Sequence, residues 1–145
     1  MDGSTKYFNN TIIATKQRVG NSTVVTITGA TASTSVPESF SLVLNNTPNL
    51  DSITARTYTD TSSHFLVEAM YKQDITSSNF YDAGTYFWQT ATGAGVKVAN
   101  HLVVNVTSID AQSIKGTFSG DFYYRSDPSS SLKTITGGAF NATFK

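Results

Sequence analysis

Hydrophobic and polar residues alternate along most of this chain with a period of two. Thr, Val, Ile, Phe and Tyr fill the alternating positions, and these residue types suit a pleated, half-buried sheet. Stripes with a helical period are nearly absent, so the pattern predicts an all-β fold. The clearest alternation spans residues 114–125, where one face carries only apolar residues and glycine, namely Ile114, Gly116, Phe118, Gly120, Phe122 and Tyr124.

Turn-forming residues divide the rest of the chain into further candidate strands. Residues 11–18 and 22–29 are predicted to form a hairpin around Val19-Gly20-Asn21. Gly84 is predicted to open an aromatic strand after a loop or single helical turn, and a bulge or kink is expected at Gly137-Gly138. The remaining predicted strands cover residues 40–45, 52–58, 64–73, 85–89, 96–107 with a break at Asn100, 132–136, and a final segment with Phe140, Ala142 and Phe144 facing inward.

The number and spacing of these strands predict the architecture. About 8–10 short, mostly antiparallel strands are typical of a single β-sandwich, and a closed antiparallel barrel of the lipocalin kind is the alternative. A length of 145 residues is typical of one domain. We therefore expect residues 1–145 to form a single β-domain.

Composition narrows the possible partners and chemistry. Only 14% of residues are charged, and ten acidic and ten basic side chains give no formal net charge, which argues against nucleic acid and anionic membrane surfaces as partners. No apolar stretch is long enough to be a transmembrane segment. The absence of cysteine excludes disulfides, thiol nucleophiles and thiolate zinc sites within this chain.

Two segments near the end carry a family resemblance. Residues 113–120, SIKGTFSG, and 135–144, ITGGAFNATF, resemble a strand–loop–strand pattern of small exported lipoproteins of Bacteroidetes, and residues 39–44 and 57–59 resemble the earlier strand pair of that family. The resemblance implies a compact β-domain of uncharacterised role that is exported and anchored through a lipidated cysteine, in the periplasm or on the outer surface. The start of this chain lacks the basic and apolar parts of a signal peptide, so we expect Met1 to be artificial and the anchor segment to be missing.

The sequence offers little support for catalysis or metal binding. His64 and His101 have no partner at metal-ligand spacing. Ser119 lacks a nucleophile-elbow frame, because Thr117 stands where the first glycine is needed. The carboxylates are dispersed at turns and on outward faces, as Glu38, Glu68, Asp82 and Asp121 illustrate. We therefore predict a protein that is not an enzyme and has no cofactor and no metal site.

Aromatic residues supply the candidate binding site. Five of them fall within residues 80–88, and flat aromatic faces with polar tips bind both sugars and proteins. The candidate ligand-binding residues are Tyr81, Tyr86, Trp88, Tyr123 and Arg125, although Trp88 could instead fill the core.

Two functions follow from these observations. The first is a non-enzymatic, exported or surface-anchored module that binds a glycan or a protein partner. The alternative is a carrier of a small apolar ligand, in which Phe118, Phe122, Phe140 and Phe144 line a barrel cavity. The sequence leaves the oligomeric state open.

Overall fold

A computed structural model describes residues 7–8, 10–32, 35–46, 52–87, 96–129 and 132–145. These residues confirm the all-β prediction, with one short helical turn at residues 85–87. Within them, none of the helical structure is long and apolar enough to cross a membrane. The strands are β1 (Asn10–Val19), β2 (Ser22–Ala30), β3 (Ser39–Asn46), β4 (Thr57–Thr59), β5 (Phe65–Lys72), β6 (Tyr81–Gly84), β7 (Val103–Ile109), β8 (Ser113–Tyr124) and β9 (Leu132–Phe144).

All nine strands belong to one sheet that curls back on itself. Its order is β4-β7-β8-β6-β5-β3-β2-β1-β9, and β9 also pairs with β8. Neighbouring strands are antiparallel except for β1 and β9, which are parallel. The sheet therefore forms a partial ring, with the barrel-like closure of the alternative prediction.

The inward face of the ring holds the main hydrophobic core. Alternate residues of β3, β5 and β8 point inward, and Leu42, Val67 and Phe122 are fully buried. Burying each such side chain contributes roughly 1.5–3 kcal/mol. The alternation read from residues 114–124 thus correctly identifies the core face of β8.

Two glycine positions shape the strands as expected. Gly20, with φ of 61°, lies in the tight β1–β2 connection between Val19 and Ser22, so the first hairpin is confirmed. In β9 the register shifts by one residue opposite the step from Phe118 to Gly120. Gly137 adopts φ of 67° at this shift, which confirms the predicted bulge.

The predicted strand at residues 52–58 is mostly irregular. Only Thr57–Thr59 form β4. The Tyr58 hydroxyl donates to the Thr54 carbonyl and accepts from its N–H, both at 2.8 Å. These two bonds replace strand pairing, so the segment folds over Tyr58.

The prediction that Gly84 opens a strand at residues 85–89 is wrong for the described part of that segment. The strand lies before Gly84, and residues 85–87 form a helical turn. Gly84 adopts φ of 137°, a conformation that redirects the chain. The Thr85 hydroxyl accepts the N–H of Val67 at 3.1 Å, so a side chain takes the place of the next backbone pair.

Candidate functional site

The described parts of the connection from β6 to β7, residues 85–87 and 96–102, contact the outer side of the sheet where β8 changes its partner. Residues up to Ser119 of β8 pair with β7, whereas Tyr123 and Tyr124 pair with β6. Between them, the Asp121 N–H donates to the Asn100 carbonyl at 2.9 Å. This change of partner gathers side chains from β5, β6, β8 and the connecting segment.

A small apolar cluster lies under this segment, outside the ring. The rings of Phe87 and Tyr123 stack with centroids 5.0 Å apart and planes inclined by 15°. Val96 and Val98 pack against them. Burial raises the pKa of the Tyr123 hydroxyl, and repulsion from the Asp121 carboxylate adds to this rise. The cluster holds the connecting segment against β8.

Glu68 fixes the start of the same segment. It points outward from β5 opposite Gly84, and its Oε1 accepts the N–H of Tyr86 at 2.7 Å. Burial raises the pKa of Glu68 to about 7; the Tyr86 hydrogen bond opposes this rise, and the carboxylates of Asp82 and Asp60 reinforce it. The Tyr86 side chain above this bond is 58% exposed, so an anchored backbone presents an aromatic ring to solvent.

Asp82 and Arg125 form an ion pair on the neighbouring strands. The Asp82 Oδ2 lies 2.6 Å from the Arg125 Nη1. Burial raises the pKa of Asp82, while the hydrogen bond and charge of Arg125 lower it. The Arg125 side chain is 61% exposed, and its guanidinium carbon lies 5.7 Å from the ring centroid of Phe80. The guanidinium is therefore held in place while still accessible.

Two further carboxylates bind the backbone just before β7 begins. Asp60 accepts the Leu102 N–H at 3.0 Å and contacts the His101 Nδ1 at 2.9 Å. Asp121 accepts the N–H and the side-chain amide of Asn100, both at 3.0 Å. Both carboxylates are 2% exposed, so their role is to hold the backbone. In the described parts of the chain, no group of three or more His, Cys, Asp or Glu side chains could hold a metal ion.

The predicted site residues are distributed over both sides of the sheet. Tyr86 and Arg125 are exposed on the outer side. Tyr123 also points outward, but Phe87 covers it. Tyr81 faces the core and is 8% exposed, because its register partner Tyr71 faces inward. The predicted residue Trp88 lies outside the described residues.

Sequence reasoning missed the two carboxylates of this surface. The sequence pattern places Glu68 and Asp82 among carboxylates that are dispersed at turns and on outward faces. Antiparallel pairing of β5 with β6 places Glu68 opposite Gly84, two residues after Asp82. The outward position of Glu68 in an alternating strand was the only available signal. The pairing itself was not readable from the pattern.

We call the group of Tyr86, Glu68, Asp82 and Arg125 the Tyr86 surface. It offers one exposed aromatic ring, acceptors on two carboxyl groups and the donors of one guanidinium. No family model, curated protein or solved structure shows significant similarity to this chain.

Proposed function

We propose that this protein is a non-enzymatic module that binds a glycan through the Tyr86 surface. The observation that carries the proposal is the exposed side chain of Tyr86. Glu68 anchors the backbone of Tyr86 through a hydrogen bond. The charges of Asp82 and Arg125, which form an ion pair, act on the Glu68 carboxyl group. A sugar presents C–H groups on its ring face and hydroxyls on its edge. An aromatic face with carboxyl and guanidinium groups beside it suits both features.

Preorganisation supports this reading. The Asp82–Arg125 ion pair and the Phe80 ring hold the guanidinium before a ligand arrives. Side chains that are already ordered lose less conformational entropy on binding. The absence of net charge in the chain fits an uncharged ligand better than a polyanion.

We further propose that the module is exported and anchored at the cell surface. Support comes from the resemblance of residues 113–120 and 135–144 to exported lipoproteins and from the low charged fraction of the chain. Trp88, two positions after Tyr86 in the chain, remains a predicted contact for the ligand.

The carrier alternative has less support. Phe118, Phe122 and Phe140 belong to the main core. The ring of Phe40 stacks on Phe118 with centroids 4.6 Å apart. These contacts describe side chains that pack against each other in the interior of the ring.

A glycan array followed by titration calorimetry of the best ligand tests the proposal. Tyr86→Ala is expected to weaken binding about tenfold or more, since an aromatic contact of this kind contributes on the order of 1–2 kcal/mol. Tyr7→Ala is the matched control, because Tyr7 is also exposed, at 71%, and lies outside the Tyr86 surface. Failure of every glycan to bind, or equal affinities for both variants, would overturn the proposal. Release of sugar from the bound glycan would contradict its non-enzymatic part.

A further inference from the structure

The partial ring is closed by a very short stretch of pairing between the first and last strands. β1 and β9 pair only at Ile13–Thr143 and Ala14–Phe144. Before β1, the Phe8 ring packs on Phe40 and Tyr71, at centroid distances of 5.8 and 6.2 Å. Phe8 therefore packs against side chains of β3 and β5.

Among the described residues, one edge of β9 has almost no partner strand. On one side, β9 pairs with β8 along nearly its whole length. On the other side, none of the described strands pairs with it between Leu132 and Ala142. We call this stretch of backbone the β9 edge. An unpaired edge offers a row of N–H and C=O groups to another strand.

The hydrogen bonds at the end of the chain show which N–H groups face this edge. The Phe144 N–H donates to Gln112, on the β8 side, and the Lys145 N–H donates to Ala14, on the β1 side. Because N–H directions alternate along a strand, those of Ala139 and Asn141 point away from β8. Both residues are also exposed.

The β9 edge differs in charge from the edge of β1 that also lacks a partner beside the β1–β9 contact. Beyond Ala14, β1 has no β9 partner among the described residues, and exposed Lys16 and Arg18 lie on that stretch. Cationic residues on an edge discourage pairing with another strand. The β9 edge carries one cation, Lys133, near its start, and the Lys133 Nζ lies 4.9 Å from the ring centroid of Tyr81. Residues 134–142 contain no charged side chain. This part of the β9 edge therefore lacks the protection.

We propose that the β9 edge pairs with the same edge of a second copy of this chain, antiparallel about a two-fold axis. An uncharged edge can face itself without placing like charges opposite each other, and two-fold self-pairing is the commonest form of association. We assign the β9 edge to a second copy of the chain, because two copies of its uncharged part can pair without electrostatic repulsion. The Gly137 bulge limits the pairing to the straight segments on either side.

Molar mass measured by light scattering tests the association. The wild type is expected to approach twice 15.6 kDa between about 1 and 200 µM, because dimers follow mass action. Ala139→Pro should shift the protein to monomer, since proline removes an outward N–H and leaves the β8 ladder intact. Asn141→Lys adds an edge charge and should act in the same direction if the proline variant fails to fold. Thr28→Lys, on the doubly paired strand β2, is the matched control and should remain dimeric.

Cysteine cross-linking tests the contact itself. The chain has no cysteine, so a disulfide in a single-cysteine variant must join two chains. Variants at Thr134, Thr136, Ala139 and Asn141 should include at least one that cross-links rapidly, because a disulfide needs Cβ atoms within about 4 Å. Lys16→Cys is the exposed control. A monomer at every concentration, or cross-linking along β9 no faster than at Lys16→Cys, would overturn the proposal. A heterologous peptide bound at a monomeric edge would likewise replace the second copy as occupant.

Discussion

The ring of Phe118 on β8 packs directly on Gly138 of β9, its register partner. A Cβ atom at Gly138 would lie 2.5 Å from the Cζ of that ring. The relationship recurs with the strands exchanged, since Phe140 of β9 packs on Gly116 of β8. Each glycine thus provides the space that an aromatic ring fills, which ties the two longest strands together.

Gly138→Ala is expected to lower the free energy of unfolding by about 1–3 kcal/mol, because the added methyl group overlaps a packed ring. Phe118→Leu should recover part of this loss in the double variant, which a double-mutant cycle in urea would measure. Ala139→Ser, at an exposed neighbouring position, is the control and should change stability little. Additive losses in the double variant would show that the ring does not limit the space at Gly138.

Gly84→Ala is expected to be the more damaging of two glycine substitutions. Its φ of 137° is unfavourable for any side chain, and its Cβ would overlap the Val67 carbonyl. Gly20 also has positive φ, at 61°, but no atom lies within 4 Å of its Cβ position. We expect a loss of roughly 1 kcal/mol for Gly20→Ala and more than about 2 kcal/mol for Gly84→Ala. Thermal unfolding followed by circular dichroism would rank them, and equal losses would contradict the role of Gly84.

Glu68 should make the protein less stable as pH rises from about 4.5 to 7. Its pKa is raised from 4.5 to about 7 by burial, so the folded state keeps a proton that the unfolded state has already released. Stability from the protonated form is complete below 4.5 and is lost as pH passes 7. Urea unfolding of the wild type relative to Glu68→Gln should show this decline, because Asp82, whose pKa is also raised, is present in both.

Asp74→Asn is the control, because Asp74 should change the stability with pH in the opposite direction to Glu68. Hydrogen bonds from the Thr76 hydroxyl and N–H lower the pKa of Asp74, so its contribution is present above its unfolded pKa and is lost at acid pH. A pH profile of Glu68→Gln parallel to that of the wild type would show that Glu68 titrates as an ordinary exposed acid.

Asp60→Ala is expected to cost about 1–3 kcal/mol, because the buried Leu102 N–H would lose its acceptor. His101→Ala removes the side-chain contact to Asp60 but leaves the acceptor of the Leu102 N–H in place, so it should cost less. Hydrogen exchange at the Leu102 amide would separate the two variants, with protection lost in Asp60→Ala and retained in His101→Ala. Retained protection in both would show that Asp60 does not hold the start of β7.

The alternation of single strands was readable from the sequence because each strand buries one face. The inward faces of β3, β5 and β8, the first hairpin and the Gly137 bulge all followed from local pattern and turn chemistry. The end of β6 did not, because Tyr86 and Phe87 suit a strand as well as a turn, and the backbone of Gly84 decides between them. Local preference could not reveal that choice.

The Tyr86 surface was only partly predictable for a related reason. Tyr86, Tyr123 and Arg125 are candidate ligand-binding residues from the sequence, and Tyr86 and Arg125 are exposed in the structure. Tyr123 is instead covered by Phe87, which follows β6 and stacks on it. The proximity of Glu68 to Asp82 depends on the pairing of β5 with β6. Both are non-local contacts, which alternation does not encode.

The two residue pairs between β1 and β9 also set an order of events during synthesis. Ile13 and Thr143 are joined across nearly the whole chain, so their contact carries the largest loop-closure cost in the sheet. A nascent chain can form the hairpin of β1 and β2 early, whereas the contact between β1 and β9 requires Thr143 and Phe144 to have left the ribosome. This contact therefore forms late in synthesis, and β1 has no β9 partner until then.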